Sequence, residues 1–221
     1  MLQHLPQWHL GRRGEILQMA TLTYFGFRLI DIGGSSNEKA PMLHKYKFSC
    51  IAPDALAFLS GPLWVECKTK SAHNKWRGGA QADPIRFGPC AEEGIDREKY
   101  EAYLRVQKDT GVPVVLLILS IKEGELVGNT LRGLGEPRFS PNPNYDLVNW
   151  DVYKFRRICQ YDCVRLRKYF YNKDGGVIQA PTDMPSDQQR RQAVERLKPQ
   201  QGEFDLIILD AVAQMERDWQ G

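Results

Sequence analysis

The chain has 221 residues, enough to bury a sizeable core and a length suited to one large domain or one domain with a substantial appendage. Hydrophobic residues at 42%, aromatic residues at 10% and charged residues at 26% exclude a disordered or fibrous chain. A net charge of +3 permits a nucleic-acid partner without demanding one, so the placement of the charge has to decide.

The start MLQHLPQWHLGRR holds no apolar run long enough for a secretory signal, and the longest apolar stretch, Val112 to Ile121, is about half of the ~20 residues a membrane helix needs. A cytoplasmic protein with no membrane partner is the expectation. Five cysteines (Cys50, Cys67, Cys90, Cys159 and Cys163) are an odd count in a chain large enough to fold without staples, which favours reduced thiols. Cys159-x-x-x-Cys163, taken with His73 or Cys90, lacks the paired spacing of a zinc knuckle.

In chain order, apolar residues recur at Ile16, Leu17, Ala20 and Tyr24, which predicts a first helix over 14–25 that Gly26 ends. Residues 27–32 read as a strand stopped by Gly33-Gly34, and 46–59 and 63–69 as two more. Residues 71–94 are rich in Gly, Pro and polar groups, so they predict a long loop or insertion. Tyr100, Tyr103, Leu104 and Gln107 mark a helix over 96–110 with Gly111 as its cap, and the run VPVVLLILSI after it is apolar on both faces, as a central strand is. Residues 133–149 are a Pro- and Gly-rich connector. VYKFR and VRLRKY then alternate at period two and predict a hairpin across Cys159 to Cys163. A polar helix over 184–198 and a short LIIL strand leading into a final helix complete the chain.

This order predicts an α/β fold: a mixed central β-sheet flanked by helices over residues 1–132, with an insertion at 71–94. A β-rich and helical C-terminal extension over 133–221, carrying a basic β-ribbon, is expected to pack on that core.

The stretch APDALAFLSGPLWVECKTK, residues 52–70, carries the chemistry. Two carboxylates and a lysine at one point suit phosphodiester cleavage: the carboxylates hold a hard cation such as Mg²⁺, and the lysine positions water or stabilises phosphoryl charge. Glu66 and Lys68, two apart on a strand, share a face, while Cys67 points away and leaves its backbone carbonyl available as a ligand. A three-residue turn Ser60-Gly61-Pro62 pairs Leu59 with Leu63 and sets Asp54 across from Lys68, on the same face. A two-residue turn Gly61-Pro62 sets Asp54 across from Thr69 and facing away. The alternative to a catalytic site is a rim-of-sheet hairpin with a weak Lys68–Asp54 ion pair.

The helix bearing Glu15, then Pro53-Asp54, then Glu66-Cys67-Lys68, then a helix and a buried strand, resembles the PD-(D/E)XK nuclease superfamily of restriction endonucleases and junction resolvases over roughly residues 11–121. The resemblance implies a restriction-endonuclease-like core, Mg²⁺-dependent hydrolysis of DNA with Mn²⁺ as a substitute, and a 5′-phosphate product. It also implies Asp54, Glu66 and the Cys67 carbonyl as metal ligands and Lys68 as the catalytic lysine. Glu15 matches an acidic residue that many members carry on the first helix, where it binds metal or orients water. It equally suits a solvated place near a helix N-terminus. Gln107 and Tyr103 are similar to residues of exonuclease-like members, although order and spacing differ, and packing suits Tyr103 better.

Contact with DNA falls to two segments. His73, Lys75, Trp76 and Arg77 follow the candidate strand. Residues 150–173 hold seven Lys or Arg against Asp151 and Asp162, a local +5 that leaves −2 for the rest of the chain. There Lys154, Arg156, Arg165 and Arg167 would form one cationic face of the ribbon, fit for phosphates or simply for solvent. An endonuclease or structure-specific, resolvase-like nuclease is the reading, and a symmetric cut of two strands would call for a homodimer. The alternatives are a nucleic-acid-binding or assembly module that does not cut, and a nuclease acting on RNA.

Overall fold

A computed structural model of the protein describes residues 5–32, 42–45, 48–72, 74–75, 91–139, 146–181, 183 and 185–220. Helix α1 spans Leu5–Tyr24. It begins well before Gly14, because that glycine serves a close approach: a Cβ there would stand 1.7 Å from the Thr69 hydroxyl oxygen. Ile16, Leu17, Met19, Ala20 and Leu22 are all buried, so this part of α1 is embedded rather than laid on the surface. Gly26, at φ 96, turns the chain into strand β1, Arg28–Asp31.

The strand expected over 46–59 is broken. β2 (Met42–Lys45) and β3 (Phe48–Ile51) pair as a separate hairpin, and β4 (Ala55–Phe58) starts only after Pro53, which has no N–H for a ladder. β5 (Pro62–Lys70) follows. The expected loop at 71–94 contains β6 (Asn74–Lys75) and the start of β7 (Ala91–Asp96). Helix α2 (Arg97–Thr110) ends on Gly111 at φ 67, and β8 (Val114–Ser120) is buried at all seven positions.

β9 (Glu125–Thr130), a short α3 (Leu131–Leu134), β10 (Arg138–Phe139), β11 (Leu147–Asp151) and a 3₁₀ turn over Val152–Lys154 lead to β12 (Arg156–Gln160). The second strand of the expected basic hairpin is a helix, α4 (Cys163–Phe170). Two forces outweigh its period-two pattern. The Asp162 side chain caps the Arg165 N–H at 2.9 Å, and Leu166 and Phe170, four apart, are both fully buried while Val164 is 65% exposed. α5 (Asp187–Leu197) begins on a Ser186/Gln189 capping box, and β13 (Gln200–Gln201) precedes α6 (Phe204–Gln220). LIIL is the first part of α6 rather than a strand, because Ile207, Ile208, Ala211 and Met215 form one buried helical stripe.

The main sheet has seven strands in the order β1-β4-β5-β8-β9-β12-β13. Only β5 and β8 are parallel, joined by the crossover that includes α2, so the mixed sheet flanked by helices that the sequence predicts is present. Strands from both sides of residue 132 share it. A second sheet, β10-β11-β7-β6, lies on the α2 side.

The two faces of the main sheet carry separate cores. Leu63, Val65 and Cys67 of β5 pack with α1, α4, α5 and α6 on one face; Trp64 packs with Tyr103 and Val106 of α2 and Trp150 of β11 on the other. The C-terminal segments are tied to α1 by the Thr21 and Tyr161 hydroxyls, 2.6 Å apart and buried, and by Arg13, which donates to the Tyr169 and Gln179 carbonyls. No helix among the described residues is long and apolar enough to cross a membrane.

Candidate active site

β4 and β5 pair antiparallel with Phe58 opposite Pro62 and Ala55 opposite Val65. The three-residue turn is therefore Leu59-Ser60-Gly61, one residue earlier than expected. Pro62 takes the first position of a strand, where its missing N–H is tolerated. Continued by one residue, this register sets Asp54 against Glu66 rather than against Lys68. Parity is preserved, so Asp54, Glu66 and Lys68 still share a face, the one that bears Trp64 and meets α2.

The backbone of β5 is divided just as its side chains are. The Trp64 N–H donates to the Pro113 carbonyl at 2.9 Å, so even residues turn their polar groups toward β8 and odd ones toward β4. Carried two residues past its last pair, Ala55 with Val65, the register would set Pro53, which has no N–H to donate, opposite Cys67. The Cys67 N–H is taken instead by the Asp54 carboxylate, Oδ2 at 2.8 Å.

Glu66 is 1% exposed. Lys68 Nζ lies 2.6 Å from its Oε1 and Lys99 Nζ, from α2, at 3.6 Å. The Tyr103 phenol also lies beside it. Burial pushes the Glu66 carboxyl upward, but the two ammonium groups and Tyr103 outweigh that and hold it below the usual range. For Asp54, burial and then the charge of Glu66 outweigh the opposing charge of Lys68 and raise it well above an ordinary aspartate. For Lys68 burial disfavours the charge, and Glu66 and Asp54 more than restore it. Lys99 is lowered by burial and by Lys68.

Other expected residues are distributed around this point. Glu15, on α1, is within electrostatic reach of Asp54 and Glu66, and its carboxylate is held by Arg12 at 2.7 Å. Burial raises its pKa and Arg12 opposes this. Gln107 is structural, accepting the Val114 N–H that begins β8. Lys75 lies on β6; His73, Trp76 and Arg77 fall outside the described residues. The four cations of the expected ribbon do not form one face. Lys154 is in the 3₁₀ turn, and Arg156 pairs with Asp210 of α6 at 2.8 Å. Arg165 donates to the Arg196 carbonyl at 3.0 Å, and Arg167 is exposed on α4.

Three residues of the site were not assigned to it from sequence. Lys99 and Tyr103 are four apart on α2 and so reach the same point on Glu66, a spacing visible in the sequence. Gln18, fully buried on α1, donates to the Lys68 carbonyl at 3.1 Å and the Thr69 hydroxyl at 3.2 Å, and so fixes β5 against the helix. It sits among apolar neighbours, and nothing in the period of α1 marks it.

Among the described residues, no three His, Cys, Asp or Glu side chains cluster as a metal site. The oxygens of Asp54 and Glu66, with the Cys67 carbonyl, nevertheless fit a hard cation that keeps several of its own waters. Asp54 is raised by burial and then by the charge of Glu66, and a cation would relieve that repulsion.

No family model matches the chain, and no curated protein matches it. Among solved structures, it is similar to Hjc, a Holliday junction resolvase from the archaeal hyperthermophile Archaeoglobus fulgidus. The identity is 13%, the match covers 66% of this chain and 91% of that one, and the TM-score is 0.42.

Proposed function

We propose that the chain is a metal-dependent nuclease that hydrolyses DNA phosphodiester bonds, as an endonuclease or structure-specific enzyme of PD-(D/E)XK type. The observation that carries this reading is the even register of β4 and β5, which gathers Asp54, Glu66 and Lys68 on one face.

In this reading Asp54, Glu66 and the Cys67 carbonyl hold Mg²⁺, with Mn²⁺ as a substitute. The bound cation supplies polarisation of the phosphate and an acidic water. Lys68 orients the attacking water or stabilises charge on the phosphoryl oxygens. Lys99 keeps a second cation at Glu66, and Tyr103 fixes that carboxylate. Glu15, held by Arg12, orients a water at the rim. Lys75 and Arg167, with His73 and Arg77, contact the substrate, and a homodimer would serve a symmetric two-strand cut.

The test is incubation with labelled linear, single-stranded, flapped and four-way-junction DNA, with Mg²⁺ or with chelator. Asp54→Asn and Lys68→Ala are expected to lower the cleavage rate by about 100-fold or more. Undiminished cleavage by either variant overturns the site, and no cleavage of any substrate with tight binding retained points to a non-cutting module.

A further inference from the structure

The basic segment 150–173 is divided by the fold into neutralised and free cations. Arg156 pairs with Asp210, Arg157 with Glu125 at 2.7 Å, and Arg165 lies 3.8 Å from Asp162. Arg167, Lys168 and Lys173 are exposed and form no ion pair among the described residues, and the same holds for Lys122, which follows β8. The fold brings these cations together. The Lys122 N–H donates to the Ser71 carbonyl at 2.9 Å, which extends the β5–β8 ladder to its tip, and α4 packs beside that tip.

A groove of about 430 Å³ results, lined by Ser71, Lys122, Val164, Arg167 and Tyr171. A neighbouring hollow adds Lys168 and Lys173. The nearby carboxylate of Glu123 accepts a hydrogen bond from the Ser120 hydroxyl. The groove thus offers unpaired cations, a hydroxyl and one aromatic ring, the equipment that tracks a phosphate backbone.

Its position adds a second argument. Ser71 follows Lys70, the last residue of β5, so the groove opens at the end of the strand that carries Lys68, on the face of the sheet that packs α4 and opposite to the face that meets α2. We propose that this groove holds the phosphate backbone of the DNA substrate where it passes the end of the sheet, away from the scissile bond. The inference rests on the nuclease reading only for which bond is cut.

The experiment measures DNA binding by the Asp54→Asn protein in chelator, by fluorescence anisotropy of a labelled duplex across a salt series. Arg167→Gln with Lys168→Gln is compared with Arg191→Gln with Arg196→Gln, an equal charge loss on exposed positions of α5. The first pair is expected to weaken binding about tenfold and to flatten the salt slope by about 0.9 for each phosphate no longer neutralised. The control pair should leave the slope unchanged. Lys122→Gln with Lys173→Gln, on other segments, should act in the same direction as the first pair. Slopes equal to the control's in both groove pairs overturn the proposal. Cleavage by the unsubstituted protein is scored separately. A flattened slope without cleavage leaves the groove and removes the nuclease, and cleavage with an unmoved slope does the reverse.

Discussion

The carboxylate of Asp54 accepts the backbone N–H of Cys67 at 2.8 Å, closing with a side chain a rung that main chain would otherwise make. In a regular antiparallel ladder that N–H would donate to the carbonyl of the residue opposite, Pro53, and the Cys67 carbonyl would accept an N–H in return. Proline cannot return one, so a rung with Pro53 would give the Cys67 carbonyl no main-chain donor. Three neighbouring residues, Pro53, Asp54 and Cys67 across from them, therefore act as one unit.

Pro53→Ala restores an N–H opposite the Cys67 carbonyl. Calorimetric titration with Mn²⁺ is expected to show affinity lowered by about tenfold, the scale of a change beside a metal ligand. An unchanged affinity would separate the carbonyl from the cation.

Asp54→Asn keeps the bond to Cys67 and removes a carboxylate whose ionised form burial and Glu66 make costly. Thermal melts in chelator should place it above the parent by about 1 kcal/mol, the familiar exchange of stability against activity. Asp54→Ala, which orphans the Cys67 N–H, should melt below Asp54→Asn by about 1–3 kcal/mol.

Val164 and Leu166 distinguish helix from strand in α4. Leu166→Ala is expected to cost about 2–5 kcal/mol and Val164→Ala no more than about 0.5 in denaturant unfolding, since one is fully buried and the other 65% exposed. Two strand residues on one face would lose similar amounts.

Gly14→Ala gains helix propensity but drives a methyl group into Thr69, whose hydroxyl and Cβ would lie at 1.7 and 2.6 Å. A net loss of about 1–2 kcal/mol is expected. Adding Thr69→Ala should restore only part of it, because the Cβ contact remains.

Cys159 is buried, which pushes its thiol up to about 12, and burial raises Cys67 as well. Their thiolates are negligible at pH 8, so iodoacetamide and peptide mapping should find Cys163, the exposed thiol, modified while Cys67 and Cys159 are spared. Labelling of Cys159 in the folded protein would contradict its packing.

Much of this was legible where one pattern had one cause. The all-apolar run of β8, the capped α2 and the Glu-x-Lys spacing of β5 are local signals, and the structure keeps them. The register was not legible even to its parity, because a three-residue and a two-residue turn both fit the sequence and the place of Pro62 depends on the pairing itself. α4 was misread because Arg165 and Arg167 alternate with Val164 and Leu166, whereas the decisive contacts, Leu166 and Phe170 against distant elements, carry no local mark. Lys99 and Gln18 reach the site across 31 and 50 residues from Lys68, a proximity set by the crossover and by the packing of α1.

The placement of β12 between β9 and β13 bears on any attempt to shorten the chain. A polypeptide stopped after residue 132 would retain every group around Glu66, yet β9 would become a bare edge with nothing beside it. Ile158, Leu166, Phe170 and Ile207 would be stripped from the core that backs Cys67. Such a fragment would offer an open template for self-association. The candidate site and the strands that cover the edge of its sheet thus occupy opposite halves of one sheet.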